Sequence, residues 1–363
     1  MKQDLTEIAK QFLPEENIDS IEALNGGLIN LTYIVRTKGN RPDLVIQKKN
    51  SDIFKNIPEM VNNIVKVTDF IKSKIEEAGE DPANKVLRLV KSGSGDYFFK
   101  DPNGDYWVAS EFIPDTVTYE KASDENLAQK GGEGLGQFLR HLADFKDTLY
   151  PTIEGFHDMS FRFKQWDESL ANDKAGRKTE LEKEINWIES RRPKIEEFWR
   201  LVESGKLPKR VTHNDTKLSN FLFDKNGNME CVIDLDTVMS NTTLADYGDA
   251  IRSFANSAKE DEPDLDKVEL DMKMFEAYTK GYLNEAAGIL TESEKENLPF
   301  GPIYITYEQT LRFLMDYIDG DTYYKTEYPS HNLVRTHSQM KLLESMEKNF
   351  EEMKRISKNL IET

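Results

Sequence analysis

A short polar run wedged between apolar segments constrains this chain more than any other stretch. Residues 211–220, Val-Thr-His-Asn-Asp-Thr-Lys-Leu-Ser-Asn, hold His213, Asp215, Lys217 and Asn220. Phe221, Leu222 and Phe223 follow, then the turn formers Asp-Lys-Asn-Gly-Asn over 224–228, then a second apolar run that ends on Asp234. Asn-Gly between two apolar runs predicts a hairpin. The hairpin folds Asp234 back towards Asn220 and Asp215. One carboxylate is then free to receive a proton, and an Asn and a second Asp are placed to hold a divalent cation. Mg2+ takes oxygen ligands, keeps several waters, and is held by one or two carboxylates together with substrate phosphates. Phosphoryl transfer from a nucleotide needs those parts: a group that orients and deprotonates the attacking hydroxyl, and metal across the phosphates.

His-x-Asp-x-x-x-x-Asn, a hairpin and then Asp form the catalytic core of the protein-kinase-like superfamily. The version here resembles the aminoglycoside phosphotransferase family of small-molecule kinases, and within it the bacterial N-acetylhexosamine 1-kinases. Residues 211–223, 233–237, 244–253 and 311–317 carry the resemblance. It implies an α+β, bilobal protein-kinase-like fold: a small antiparallel-sheet lobe that binds nucleotide over 1–113, and a mainly helical catalytic and substrate-binding lobe over 114–363. The implied reaction is ATP + sugar → ADP + sugar 1-phosphate, Mg2+-dependent, at the anomeric hydroxyl of N-acetylhexosamine. Asp215 is the expected base and acceptor contact, with Asn220 and Asp234 on the metal. Lys217, two residues after the base, is placed to reach the transferring phosphoryl group. His213 belongs to the same catalytic loop, where fixing the loop by hydrogen bonds suits it better than proton transfer. Arg312 and Tyr323, eleven residues later, match the sugar contacts of the N-acetylhexosamine kinases, and Asp249 is a further substrate-side candidate. The residues alone leave a second reading of Arg312, an (i, i+4) ion pair with Asp316.

The N-terminal part supplies the nucleotide candidates. A strand, a glycine turn and a second strand are expected around Gly26 and Gly27, where missing Cβ atoms let backbone N–H groups approach phosphate. Ile29, Leu31, Tyr33 and Val35 alternate on one face of the second strand. Residues 44–49 read as the next strand. Kinases carry a phosphate-binding lysine there, whereas Gln47 takes its expected place and Lys48 follows. Residues 56–78 repeat apolar side chains every three or four positions, a helix beside the sheet. A second hairpin over 97–112 leaves through Glu111 and Ile113, whose backbone groups are the expected adenine contacts.

The glycine-rich 131–136 lacks the Gly-Lys-Ser/Thr of a phosphate loop and no strand precedes it, so it reads as a closely packed helix. A helical block over 157–209 precedes the catalytic loop, as in small-molecule kinases, and the Leu-Asp after Asp234 replaces the Phe-Gly of protein kinases. Asp246 reads as a brace for the catalytic loop, and 337–360 as one long helix. The net charge of −18 argues against nucleic acid or anionic membrane as partner. The polar start and the lone Cys231 point to a cytoplasmic chain, with Cys231 as buried filler. The alternatives are a kinase of an aminoglycoside, amino alcohol or other sugar, an inactive nucleotide-binding protein, and a scaffold that uses its acidic surface.

Overall fold

The computed structural model describes residues 5–14, 17–24 and 29–362; Gly26 and Gly27 lie outside them. The chain opens with α1 (Leu5–Ala9), β1 (Ile18–Leu24), β2 (Leu31–Thr37), β3 (Leu44–Lys48), α2 (Ile57–Glu77), β4 (Leu89–Val90), β5 (Phe99–Lys100) and β6 (Tyr106–Glu111). The strands make one antiparallel sheet in the order β1-β2-β3-β6-β4, with β5 also on β6. Period-two alternation sends Val35, Leu44, Ile46, Trp107 and Ala109 to one face, where Ile8 and Phe12 cover them. Val108 faces the other way, against Phe54, Ile57, Met60 and Val61 at the start of α2. The alternation expected over 29–35 is buried only at its far end: Leu31, the first residue of β2, is 57% exposed, while Val35 is wholly buried. Asn56 caps α2 by accepting from the Glu59 N–H, and Pro58 occupies the first turn, where its missing N–H costs nothing.

The rest is mainly helical: α3 (Glu125–His141), α4 (Met159–Asn172), α5 (Glu182–Glu203), α6 (Thr243–Phe254), α7 (Met272–Ala286), α8 (Glu292–Asn297), α9 (Gly301–Asp319), α10 (His331–Lys348) and α11 (Phe350–Glu362). Two small ribbons sit among them. One is the hairpin β8 (Phe221–Phe223) with β9 (Met229–Val232); the other pairs β7 (Lys209–Thr212) with β10 (Met239–Thr242). The glycine stretch is helical, and its glycines are what bring α3 against α7. A Cβ on Gly132 would stand 2.1 Å from the Tyr278 carbonyl, and one on Gly281 of α7 would stand 2.0 Å from that of Gln129. The two backbones therefore touch, and a side chain at either position would push the helices apart.

The long C-terminal helix expected over 337–360 is instead two helices that meet at Asn349. Asn349 caps the first, its backbone N–H and its side-chain amide both donating to the Ser345 carbonyl. The break lets Met353 and Ile356 turn into the main core of the lobe. No helix among the described residues is long and apolar enough to cross a membrane.

Candidate active site

The catalytic loop runs from the end of β7 to the start of β8 and is held mainly by buried side chains. Asp246, in the first turn of α6, accepts the backbone N–H groups of His213 (2.7 Å) and Asn214 (2.7 Å), and its own carbonyl accepts from Thr216 Oγ1. Burial pushes its carboxyl up to about 6, against the pull of His213 and the two N–H groups. This is the brace expected of Asp246. His213 is fully buried; its Nδ1 accepts from the Asp215 N–H and its Nε2 donates to the Ile233 carbonyl at 2.8 Å. It ties the loop to the strand that delivers Asp234. Asn214 adopts φ 65°, a left-handed conformation that Asn tolerates better than most residues, and its amide donates to the Thr212 and Thr237 carbonyls.

Asp215 lies at the centre of this frame. Lys217 Nζ (2.7 Å) and Asn220 Nδ2 (3.0 Å) both donate to its Oδ2, and no donor among the described residues reaches Oδ1. Burial raises the Asp215 pKa, but the Lys217 ammonium outweighs it and holds the carboxyl below its usual range. Lys217 is half-buried, and the charges of Asp215 and Asp234 hold it firmly protonated. Asn220 uses its amide N–H groups on the Asp215 carboxylate and carbonyl, which leaves its own oxygen facing away from them.

The hairpin returns as its turn chemistry dictates. Asp224 accepts from the N–H groups of Asn226 and Asn228, and Gly227 takes φ 80°. Ile233 N–H then donates to the Asn220 carbonyl at 2.9 Å, which sets Asp234 beside the loop. Asp234 is itself left-handed, φ 61°, and its carboxylate makes no hydrogen bond among the described residues. Burial first, then the neighbouring Asp236 charge, raise its pKa, with Lys217 and Lys49 opposing. An unpartnered, half-buried carboxylate beside an unclaimed amide oxygen is the donor chemistry of a hard-cation site. No group of three or more His, Cys, Asp or Glu among the described residues is gathered to hold a metal unaided. Asn220 and Asp234 are thus a partial ligand set.

Asp236 behaves differently from Asp234. Lys49, the residue after β3, donates to both its oxygens at 2.7 and 2.9 Å, Asn30 adds a bond at 2.8 Å, and Gln47 accepts from Lys49 at 2.6 Å. Lys49 and Asp236 are each about 4% exposed or less. Lys48 points to the opposite face and pairs with Asp105. Period two along the strand carries this signal, since Gln47 and Lys49 share parity and Lys48 does not. The lysine nearest the cluster is therefore one residue beyond the expected Lys48. Glu59, Glu76 and Glu77 on α2 bond to Asn62, Lys72 and Lys74 respectively rather than to it. Glu111 carries the end of β6, its N–H donating to the Arg88 carbonyl, and Ile113 is buried just beyond it.

On α9, one turn after Glu308, whose partner His157 reaches the catalytic loop at the Asn214 carbonyl, stands Arg312. Its guanidinium is 8% exposed and has no carboxylate partner; it donates to Gln309 at 3.2 Å and lies 5.4–5.6 Å from the ring centroids of Phe156, Tyr323 and Tyr324. The pairing with Asp316 does not form. Asp316 instead accepts from the backbone N–H groups of Thr322, Tyr323 and Tyr324 and from Asn332, and so shapes the turn that carries the tyrosines. Asp249, on α6, is clamped by Arg252 at 2.8 and 3.0 Å. Tyr323 is half exposed at the rim, while Tyr324 is held by Gln309. Phe156, Gln309 and Tyr324 have no motif-level signal in the sequence; they are neighbours only in the fold.

A family model described as the phosphotransferase enzyme family (APH) matches residues 20–279, well over half of the 363. The chain belongs to this family. Solved structures with the APH architecture superpose over nearly its whole length. A microcompartment-associated aminopropanol kinase is 17% identical, with 97% of this chain and 99% of that one covered and a TM-score of 0.64. Spectinomycin phosphotransferase, solved with ADP and spectinomycin, is 14% identical over all of both chains, TM-score 0.54. A choline kinase from Streptococcus pneumoniae is 15% identical over 94% and 98%, TM-score 0.53. These likenesses place the bilobal, protein-kinase-like fold, and the family is one of phosphotransferase enzymes.

Proposed function

We propose that this APH-family chain transfers the γ-phosphoryl group of ATP to the anomeric hydroxyl of N-acetylhexosamine, giving the sugar 1-phosphate. The carrying observation is Arg312, a buried guanidinium with no carboxylate, edged by three aromatic rings beside the catalytic loop. Such a group is costly to bury unless something polar meets it. It also repels the cationic amines that aminopropanol or choline present. The acidic side chains nearby offer those amines little: Asp249 is neutralised by Arg252, Glu308 by His157 and Arg162, and Asp215 by Lys217. A neutral, hydroxyl-rich acceptor with an amide carbonyl suits a guanidinium donor and aromatic walls.

Asp215 Oδ1, free of donors, takes the hydroxyl proton, while Lys217 and Asn220 hold Oδ2 and so fix the carboxylate's orientation. Mg2+, held by Asp234 and the Asn220 oxygen, neutralises charge on the phosphates when bound. Lys49, just past the end of β3, is the phosphate-side cation. Ile113 offers a backbone N–H that no hydrogen bond among the described residues occupies, at the point where the chain leaves the sheet. The test is ADP release over N-acetylglucosamine, N-acetylgalactosamine, glucose, galactose, aminopropanol and choline, with the product's phosphate position read by 31P NMR. Wild type should favour the acetamido sugars. Arg312→Ala should lose roughly 1–3 kcal/mol of kcat/KM on them with Tm unchanged. Turnover confined to the amines, or a lowered Tm with sugar KM intact, would replace this reading with an amino-alcohol kinase or a structural Arg312.

A further inference from the structure

His157 lies outside every motif of the catalytic core, yet it touches that core directly. It precedes α4 in a left-handed conformation, φ 55°, and is 5% exposed. Its Nδ1 stands 2.6 Å from Glu308 Oε2 and its Nε2 3.0 Å from the Asn214 carbonyl oxygen. Both partners are acceptors. A neutral imidazole has one N–H and one lone pair, so in either tautomer one ring nitrogen would set its lone pair against an oxygen. Protonating Glu308 would relieve this, but Glu308 Oε1 already accepts from Arg162 Nε at 3.0 Å. Burial raises the Glu308 carboxyl, and His157, Arg162 and Arg312 more than reverse this, down to about 2. The consistent state is an ionised Glu308 with both ring nitrogens of His157 protonated.

We propose that His157 is held as an imidazolium and is a positioning residue for phosphoryl transfer, fixing the Asn214–Asp215 peptide from the side of the acceptor helix. The inference rests on the reading of Asp215 as base. The Asn214 carbonyl is held by His157 and the Asp215 N–H donates to His213 Nδ1, so the peptide that carries Asp215 is fastened on both edges. The other end of the bridge, Glu308, is one helical turn before Arg312 on α9. The same helix further anchors the His157 backbone, since the Tyr304 hydroxyl donates to the His157 carbonyl. One cation thus connects the helix that bears the acceptor contact to the loop that bears the base. The charged groups that act on the ring are Glu308 and Arg312 from α9 and Asp246 from α6, with Arg162 of α4 bound to the far oxygen of Glu308. Burial works against the charge; Glu308 and the Asn214 carbonyl outweigh it and raise the ring's pKa.

The direct test needs no acceptor. In 15N-histidine-labelled protein without ligands, two-bond 1H–15N correlations separate imidazolium from either neutral tautomer. His157 is assigned as the signal that His157→Gln removes. Imidazolium at pH 7.5, where an unpaired ring with a pKa of about 6.5 is mostly neutral, is the expected result, and a neutral ring at that pH overturns the proposal. Kinetics follow with whichever acceptor the chain turns over. His157→Gln should lower kcat on the order of 10- to 100-fold while nucleotide KM stays within about twofold. Unchanged kcat, or an equal loss in nucleotide affinity, overturns the positioning role. Should His157→Gln fail to fold, Glu308→Gln in the full chain serves instead: among the five histidines one imidazolium signal, that of His157, should become neutral at pH 7.5 and kcat should fall similarly, and an unchanged set of ring signals is again a refutation. A wrong sugar assignment leaves the NMR result untouched, so the two failures are separable.

Discussion

Asp234 and Asp236 are two residues apart, the first half-buried with no hydrogen-bond donor among the described residues and the second buried against Lys49, and opposite effects on stability are expected when each becomes Asn. Asp234 has no hydrogen-bond donor and sits near two other carboxylates, and its folded pKa is raised. The sign follows: the folded state binds protons more readily than the unfolded chain, so keeping Asp234 ionised at neutral pH costs folding free energy. Asn removes the charge, retains the shape, and tolerates φ 61°. Relief of such a functional strain is typically about 1 kcal/mol, a rise in Tm of about 1–3 °C for a chain of this size. Asp236→Asn has the reverse effect. It leaves the Lys49 ammonium, 2% exposed at its side chain, facing a neutral amide. Breaking one partner of a buried ion pair costs about 3–5 kcal/mol, and Gln47 Oε1 keeps the loss towards the lower figure, so Tm should fall by roughly 5 °C or more. The assay is thermal unfolding of wild type and both variants at pH 7.5 without nucleotide or divalent ion, repeated with Mg2+ and ADP. Wild type should gain Tm with both ligands, and Asp234→Asn should lose most of that gain together with turnover. If Asp234→Asn destabilises the free protein as much as Asp236→Asn, Asp234 has a structural partner and the cation-site reasoning fails.

Asp215→Asn should keep nucleotide affinity and lose on the order of 10²–10⁴-fold in kcat; more than about a tenth of wild-type turnover would remove Asp215 as base. Lys49→Met should raise ATP KM and Lys48→Met should not, since Lys48 pairs with Asp105 on the far face; steady-state ATP titration decides, and the reverse order would return the phosphate role to Lys48. Glu308 has a depressed pKa of about 2, so its contribution is present above the unfolded value of about 4.3 and drains away as pH falls towards 2. Chemical denaturation at pH 7 and pH 3 should show Glu308→Gln flattening that acid limb by at most about 3 kcal/mol. The Cys231 thiol, pushed up to about 12 by burial, should resist thiol reagents in the folded protein and react fully in denaturant.

The parts of this fold that local chemistry specifies were legible in the sequence. Asp224 to Asn228 writes its own turn, α2 declares itself by spacing, and Asp246 could be read as a brace because its position in the first turn of α6 suits an acceptor. The glycines of α3 were legible as packing through the absence of phosphate-loop features. What escaped depends on distant pairing. β7 and β10 are four residues each and owe their existence to each other. The break at Asn349 follows from where α11 finds a core to bury Met353 and Ile356, and an apolar stripe continuous through the break gives no warning. Lys49 was missed by one position because the strand ends at Lys48 and only the Asp236 carboxylate, 187 residues away, draws the next side chain inward. The aromatic cage around Arg312 and the bridge through His157 join segments that share no motif.

The segment that leaves the sheet has one further consequence. Val117 exchanges two backbone hydrogen bonds with Phe223, at 2.8 and 2.9 Å, so the connector lies beside the catalytic hairpin as a third short strand. The stretch that would meet a nucleotide's base and the hairpin that carries Asp234 are thereby one piece of scaffold. Their separation is a fixed gauge: a ligand anchored at one end presents its phosphate tail at a set reach. On the reading proposed above, that fixed reach would distinguish nucleotides by the length of their phosphate tails.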